Sequence, residues 1–429
     1  TSARRSIGWR VWLPGPTAIY ARACVDEPQR LVFEMGGAVL RGEIRGAVIC
    51  GAEALATSRR LQRQGLSADW SDDPEGETDD RGAGIDLLFD TELNRHGAFT
   101  PVDIYPLQEQ VRRSELGLSK TAYRQQLAQL MAHFANVASH NPFAMFRQPM
   151  SADEIGEESP KNRLMGDPHL KSMVAKDGVN QAAALVITRY ETAVSLGVAD
   201  RAIYLQGHAT GSEPQVLARP SLGQAASMTQ AYHNALASAG MTADQIAAAD
   251  LYSCFPIAVW AAMDALGIEL GDPRPLTLTG GLPFFGGPGN NYSTHGIAEM
   301  VHWLRQQPEP TTGIVGANGG YLSKHAVGVY ANIPVDFPAP APEVSAEEAV
   351  AVVADPESDG VIESYTFQRQ ADKSRAIVVG RQASDGRRWV GVADPDDADL
   401  LAWFEAEDPL GARVEVVTGE RNVVRRIAE

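Results

Sequence analysis

The stretch Gly280-Gly-Leu-Pro-Phe-Phe-Gly-Gly-Pro-Gly-Asn-Asn-Tyr-Ser-Thr-His295 runs a glycine-rich loop straight into a helical pattern. Ile297, Met300, Val301 and Leu304 follow at the spacing of one helix face, which predicts a helix over 293–306. Glycine lets a backbone approach a ligand closely and adopt positive φ. A helix N-terminus presents unpaired N–H groups and the positive end of its dipole. Asn290, Asn291, Tyr292 and His295 put polar groups at the same place. Such a loop suits a carbonyl oxygen or an oxyanion. It is equally a tight loop capping a helix, with Ser293 or Thr294 as the cap.

Two more turns of this kind lie at element ends. Asp250-Leu-Tyr-Ser-Cys-Phe-Pro256 sits at a strand-to-helix junction, and Gly316-Ala-Asn-Gly-Gly-Tyr-Leu-Ser-Lys-His325 precedes a strand. Further out, helices are expected over 29–42, 221–239 and 257–266, with a short one after Met241-Thr-Ala-Asp244 that Thr242 or Asp244 can cap. Strands are expected over 46–50, near 250–252, and over 313–316 and 326–330. Helices alternating with strands predict a layered α/β body. Residues 65–167 are less regular. Within them 69–80 reads as an acidic, solvated loop and 120–139 as a long helix, with His133 and His140 given no ligand role.

Phe337-Pro-Ala-Pro-Ala-Pro342 forbids a helix and predicts an extended linker. Beyond it, 360–367, 375–379, 388–392 and 413–417 read as strands, with a hairpin turn at Ser384-Asp-Gly386 and a helix over 397–406. The tail is expected to be a small barrel resembling an oligonucleotide-binding fold, folding apart from the body.

Composition narrows the function. Hydrophobic residues make up 44% and charged residues 21% of 429, which excludes wholesale disorder. With 37 Lys and Arg against 54 Asp and Glu, a net charge of −17 gives no general reason to bind nucleic acid or an anionic membrane. The tail is itself acid-rich, so nucleic acid is not expected there either. Cys24, Cys50 and Cys254 are too few and wrongly spaced for a zinc site or a disulfide framework, so a reduced, cytoplasmic setting is expected and no metal. No apolar run reaches membrane-spanning length, and no apolar signal segment follows the charged start. The chain opens at Thr1 without Met, which suggests processing, trimming or an incomplete sequence.

These residues resemble the thiolase superfamily. The 280–288 segment is similar to the family stretch ending in Gly-His-Pro. Tyr252-Ser-Cys-Phe255 stands where sterol-carrier-type thiolases have His-Asp-Cys-Phe, and Asn318-Gly-Gly320 falls near the family's final Cys-x-Gly. Residues 29–53 resemble the helix behind the nucleophile and the strand after it. With the extra tail, the likeness is to bacterial type-1 thiolase-like proteins, often labelled acetyl-CoA acetyltransferases. The resemblance implies a five-layered αβαβα body of two similar halves, 1–64 with 168–220 and 221–337. An excursion domain over 65–167, a linker over 338–344 and an added β domain over 345–429 complete it. It also implies coenzyme A as a substrate moiety, with no permanently bound cofactor. The reaction implied is acyl transfer or carbon–carbon bond chemistry on acyl-CoA, in fatty-acid or sterol metabolism. A retro-aldol lyase or a lapsed acyl-CoA-binding protein are the alternatives. The chain is expected to be a monomer or homodimer, with the tail open to a protein partner.

The departures from the family define the candidates. The Gly-His-Pro histidine is Gly287 here, and Ala317 or Asn318 replaces the final cysteine. Counting back from Gly42 places Val25 at the nucleophile's position, and a one-residue slip would restore Cys24. Cys24, Tyr252, His295 and His325 are therefore the candidate catalytic groups, each with a packing or capping role as the alternative. Gly287, Asn290, Asn318, Gly319 and Gly320 are the candidate oxyanion donors. Cys50, Cys254 and His208 are expected to be structural. Ordinary thiolysis is expected to be poor or absent.

Overall fold

The computed structural model describes residues 10–12, 17–22, 24–70, 77–82, 84, 90–339, 341–347, 349–369 and 374–427. Half of the predicted acidic loop 69–80, residues 71–76, lies outside them, and Glu77–Asp80 is a short strand.

Helix Glu27–Arg41 forms where a proline can open it and a glycine can close it. Pro28 occupies its first turn, and Gly42, at φ 79°, turns its N–H back onto the Ala38 and Val39 carbonyls. Leu31, Val32, Met35, Ala38 and Val39 are all buried, on a stripe that faces the interior. Tyr292–Leu304 packs beside it, burying Ile297, Met300 and Leu304. Asn291, not Ser293 or Thr294, stands at the cap position of this second helix, and its side chain makes no capping bond.

These two helices fill the space between two five-stranded mixed sheets. The first runs Glu77–Asp80, Thr17–Tyr20, Arg10–Trp12, Gly46–Glu53, Gln181–Thr188. The second runs Val344–Ser345, Tyr204–Ser212, Lys324–Ala331, Thr312–Gly319, Ala248–Asp250. Residues 316–319, expected as a turn, continue the strand, and Asn318 pairs with His325. On the far side of the second sheet, Ala226–Ala239 covers the strands and Pro256–Leu266 packs on it. The first of these starts five residues later than expected, and Thr242 supplies the capping box of the turn that follows it.

Inside 65–167 the unexpected element is Pro101–Glu115. Pro106 lies within it and offers no N–H to the Val102 carbonyl one turn back. That carbonyl instead accepts from Gln368 Nε2 of the tail at 3.0 Å. Lys120–His140, the long helix expected, is capped by Ser119 and touches Pro101–Glu115 where Tyr123 donates to Glu109.

The tail closes into a barrel in the order Asp359–Arg369, Ser374–Gln382, Arg388–Ala393, Val423–Arg426, Arg413–Val417, with helix Ala398–Ala406 against it. Trp389 fills the interior, fully buried, because Gly360 and Gly380 leave it room: a Cβ on Gly380 would lie 2.2 Å from its ring.

The barrel does not pack as a separate unit. Ile362, Tyr365 and Phe367 share one apolar core with Ile104, Tyr105 and Leu107. Ser364 Oγ donates to the Leu107 carbonyl at 2.5 Å, and buried Arg113 grips Asp408 with two bonds of 2.6 and 2.7 Å. Arg388, also buried, holds Glu363 and donates to the Leu217 and Arg219 carbonyls at 2.6 Å. The proline stretch is docked too. Phe337 lies on Gly36, Glu343 pairs with Arg30 at 2.8 Å, and Val344–Ser345 adds an edge strand to the second sheet. Among the described residues no helix is long and apolar enough to cross a membrane.

Candidate active site

Cys24 precedes the first central helix by two residues, and the end of strand Thr312–Gly319 comes up against it. A Cβ on Gly319 would lie 2.3 Å from Cys24 Sγ and 2.5 Å from Asp26 Oδ1, so glycine is required there by close approach. Asp26 is 1% exposed. Its Oδ2 pairs with Arg30 Nε at 2.7 Å, while among the described residues no nitrogen or oxygen donor reaches its buried Oδ1. Burial, then the charge of Asp26, push the Cys24 thiol far above its ordinary range, and Lys324 offsets only part of this. Cys24 is therefore a thiol rather than a thiolate at neutral pH. The structure thus places Cys24 beside the glycine strand, whereas Val25 is held through its carbonyl by Ser293 Oγ at 2.5 Å.

His325, opposite Asn318 on the neighbouring strand, is fully buried, and among the described residues neither ring nitrogen makes a hydrogen bond of good geometry. The Glu213 carboxylate stands 4.0 Å away but accepts from Ser227 N and Oγ at 2.6 and 2.7 Å. Burial, with the Arg219 and Arg30 charges, lowers the His325 pKa to about 3. Burial alone lowers His295 to about 4. Its ring meets Phe285 edge-on at 5.2 Å, and its Nε2 lies 3.5 Å from Asn291 Nδ2, which donates to the Gly51 carbonyl at 2.5 Å. Both histidines are neutral at neutral pH.

Tyr252 lies between Cys254 and Tyr292. Its ring packs edge-on against Tyr292 at 5.5 Å, which neighbours Phe285 and so His295. Burial raises its pKa well above 10, with Cys254, Tyr292 and Cys24 adding to the shift. The phenol stays protonated and can donate. Cys254 packs behind it and donates to Tyr105 Oη at 3.2 Å, and its pKa is pushed up to about 12. Tyr105 in turn donates to the Gly320 carbonyl at 2.8 Å, and Asn318 Nδ2 lies 3.5 Å from the same hydroxyl. Asn318 Oδ1 is buried without a partner among the described residues.

Cys24 thus meets Gly319, Asn318 and Gly320 meet at Tyr105, and Tyr252 lies near enough to Cys24 to feel its charge; His325 pairs with Asn318 on the neighbouring strand, and His295 lies beyond Tyr292 and Phe285. Gly287 does not join them as a donor, because its N–H is taken by the Lys176 carbonyl at 2.8 Å. A Cβ on Gly287 would meet its neighbours at 3.4–3.7 Å, ordinary contact, so space alone does not exclude a side chain there. Asn290 is half-buried in a short turn over Gly289–Asn291. His208 stacks on Phe33 at 4.3 Å, and Cys50 lies half-buried in a strand of the first sheet rather than deep in the core.

Two carboxylates escaped the sequence reading. Asp250 closes its strand and accepts from Thr277, Leu278 and Thr279, shaping the entry to the glycine loop. Asp26 had a signal, an acid directly before Glu-Pro at a helix start, but only the folded strand ends bring it to the thiol.

The pattern of a thiolase-like protein type 1 additional C-terminal domain matches residues 340–421. A monomeric SCP2-thiolase-like protein type 1 from Mycobacterium smegmatis shares 35% identity, covering 94% of this chain and 83% of that one, with a TM-score of 0.81. The dimeric peroxisomal thiolase of Saccharomyces cerevisiae shares the fold at 14% identity, with 72% of this chain and 74% of that one covered and a TM-score of 0.51. A thiolase from Ascaris suum, solved in complex with coenzyme A, does so at 15% identity, with 72% and 78% covered and a TM-score of 0.50. No curated protein matches the sequence. The architecture is thus that of the thiolases, an α/β body here joined to a closed five-stranded barrel. Within that superfamily the chain belongs to the type-1 SCP2-thiolase-like proteins.

Proposed function

We propose that this protein binds an acyl-CoA thioester and acts, where it turns over, at the carbon beside the thioester, without an acyl-enzyme on Cys24. The observation that carries the reading is the Asp26 carboxylate beside the thiol. A thiolase nucleophile needs a neighbouring base or cation to become a thiolate; a carboxylate beside the sulfur opposes that charge. Acyl-CoA as the ligand is supported by the family and by a thiolase of like fold solved with coenzyme A. The buried, unpartnered Asn318 Oδ1, Asn291 Oδ1 and His325 nitrogens add polar capacity that no described protein group uses.

In this reading Tyr252, protonated at neutral pH, donates to the thioester oxygen. A negative enolate forming there would raise the pKa of neutral His295 and make it a proton acceptor. The same reading leaves carbon–carbon chemistry, including retro-aldol cleavage, open in fatty-acid or sterol metabolism. A second reading, acyl-CoA binding without turnover, is favoured by the protonation states: thiol and phenol are pushed up and both imidazoles down, so none of the four is poised near pH 7. Calorimetric titration with coenzyme A and a series of acyl-CoAs, alongside cleavage of acetoacetyl-CoA by coenzyme A, tests the proposal. Saturable binding with negligible thiolysis is expected. Absence of binding to every member would leave the family and the fold without the ligand.

A further inference from the structure

A cleft of about 400 Å³ opens where the body meets the barrel. Phe99 and Asp103 line it from the body, Arg163 and Met165 from a small hairpin, and Arg369, Arg375 and Arg421 from the barrel. Four arginines and a single carboxylate line this cleft in a chain whose net charge is −17. Two of the arginines are already matched. Arg375 pairs with Asp103 and donates to Gln368 Oε1 at 2.7 Å, and Arg369 pairs with Glu158 and Glu405.

The other two are not matched. Among the described residues Arg163 reaches only the Met165 sulfur, at 3.0 Å, and Arg421 has no carboxylate within ion-pair distance. Arg421 nevertheless converges on Arg375: a Cβ on Gly97 would lie 3.7 Å from Nη1 of both. Its backbone is clamped on either side. Arg95 holds the Gly419 and Glu420 carbonyls at 2.5 and 2.8 Å. Asn422 N donates to His96 Nε2 at 2.9 Å, and its side chain holds the Ala354 and Val390 carbonyls at 2.9 Å. The Arg421 side chain is itself exposed, but its clamped backbone holds an uncompensated guanidinium near another, which lowers the ordering cost of gripping an anion there.

We propose that this cleft binds a small phosphate-bearing anion, with Arg421 and Arg163 as its charge partners. A carboxylate offers two oxygens, enough for one guanidinium fork; guanidinium groups from opposite walls call for the additional oxygens of a phosphate. Phe99, 63% exposed, and Met165 offer an apolar surface to whatever organic group the phosphate carries. Its lining includes none of Cys24, Tyr252, His295, Asn318 or His325, so the test does not depend on the proposed acyl-CoA site.

The full chain is titrated calorimetrically with inorganic phosphate and, separately, with adenosine monophosphate. Arg421→Gln and Arg163→Gln break no ion pair, so their melting temperatures are expected to match the parent and report an intact fold. Each is expected to weaken binding by about tenfold or more. Adenosine monophosphate binding more tightly than phosphate assigns the site to a nucleotide-like phosphate; equal affinities assign it to the free anion. No saturable binding of either, or binding that both variants leave unchanged, overturns the proposal.

Discussion

Replacing Asp26 by Asn should make Cys24 more acidic and more reactive. Cys24 Sγ and Asp26 Oδ1 both approach one point above Gly319, at 2.3 and 2.5 Å, so they lie no more than about 5 Å apart. Two unit charges at about 5 Å in an effective dielectric of about 20 repel by about 3 kcal/mol, equivalent to about two pKa units. Arg30, paired with the other carboxylate oxygen, offsets part of this, leaving about one to two units. The thiolate fraction at a fixed pH should therefore rise about 10- to 100-fold in Asp26→Asn, and the alkylation rate by a smaller factor, about 3- to 15-fold, because a more acidic thiolate is a weaker nucleophile. Peptide-resolved labelling with iodoacetamide from neutral to alkaline pH reads this directly, with Cys254, buried and pushed up to about 12, as the internal reference. Asp26 makes no side-chain capping bond, and an Asn amide oxygen can still accept from Arg30, so the structural cost is confined to the lost charge of that pair. An unchanged or slower rate at Cys24, with Cys254 constant, would refute the electrostatic account of this thiol.

Gly319→Ala should destabilise the protein by about 1–3 kcal/mol, read as a lowered melting temperature, since its Cβ has nowhere to go but into Cys24 and Asp26; an unchanged value would mean the strand end yields freely. Stability should fall as pH drops from about 6.5 toward 4, because unfolded histidines take up protons near 6.5 while His208 and His295 resist to about 4 and His325 to about 3. Urea midpoints across that range should decline by several kcal/mol's worth, roughly, and a flat profile would contradict the burial of these rings. A chain ending at Phe337 should aggregate or melt early, because it uncovers Ile104 and Leu107 and strips Arg113 of Asp408; a soluble fragment with the parent's melting temperature would show that the shared core is dispensable.

The sequence made the central helices, the glycine loop and most of the barrel legible, because each rests on local rules. Pro28 and Gly42 bracket one helix, and Ser384-Asp-Gly386 turns one hairpin, with Gly386 at φ 73°. Pro101–Glu115 stayed hidden for a physical reason. Its buried face includes Gln108, Glu109, Gln110 and Arg113, which are satisfied by Tyr321, Tyr123, Asp167 and Asp408 from distant parts of the chain. Without those partners the stripe reads as solvated rather than buried. Val423–Arg426 was missed because only two apolar residues precede its arginines. At the site, the glycine and Asn318 signals were readable. The Asp26–Cys24 contact was not, since it is made only when a strand end from residue 319 closes over residue 24. The tail looked separate for the same reason: each strand carries its own pattern, and nothing local says that Tyr365 and Phe367 complete the core begun by Ile104 and Tyr105.

The central claim is that acyl-CoA is handled without an acyl-enzyme, and mass spectrometry of the denatured protein after incubation with acetyl-CoA and acetoacetyl-CoA tests it most directly. Binding is verified first in the same preparation by calorimetry. The account predicts the unmodified mass, with the Cys24 peptide free of acyl groups. A stoichiometric acyl adduct on Cys24, lost in Cys24→Ala, would contradict it and make this thiol a working nucleophile despite Asp26.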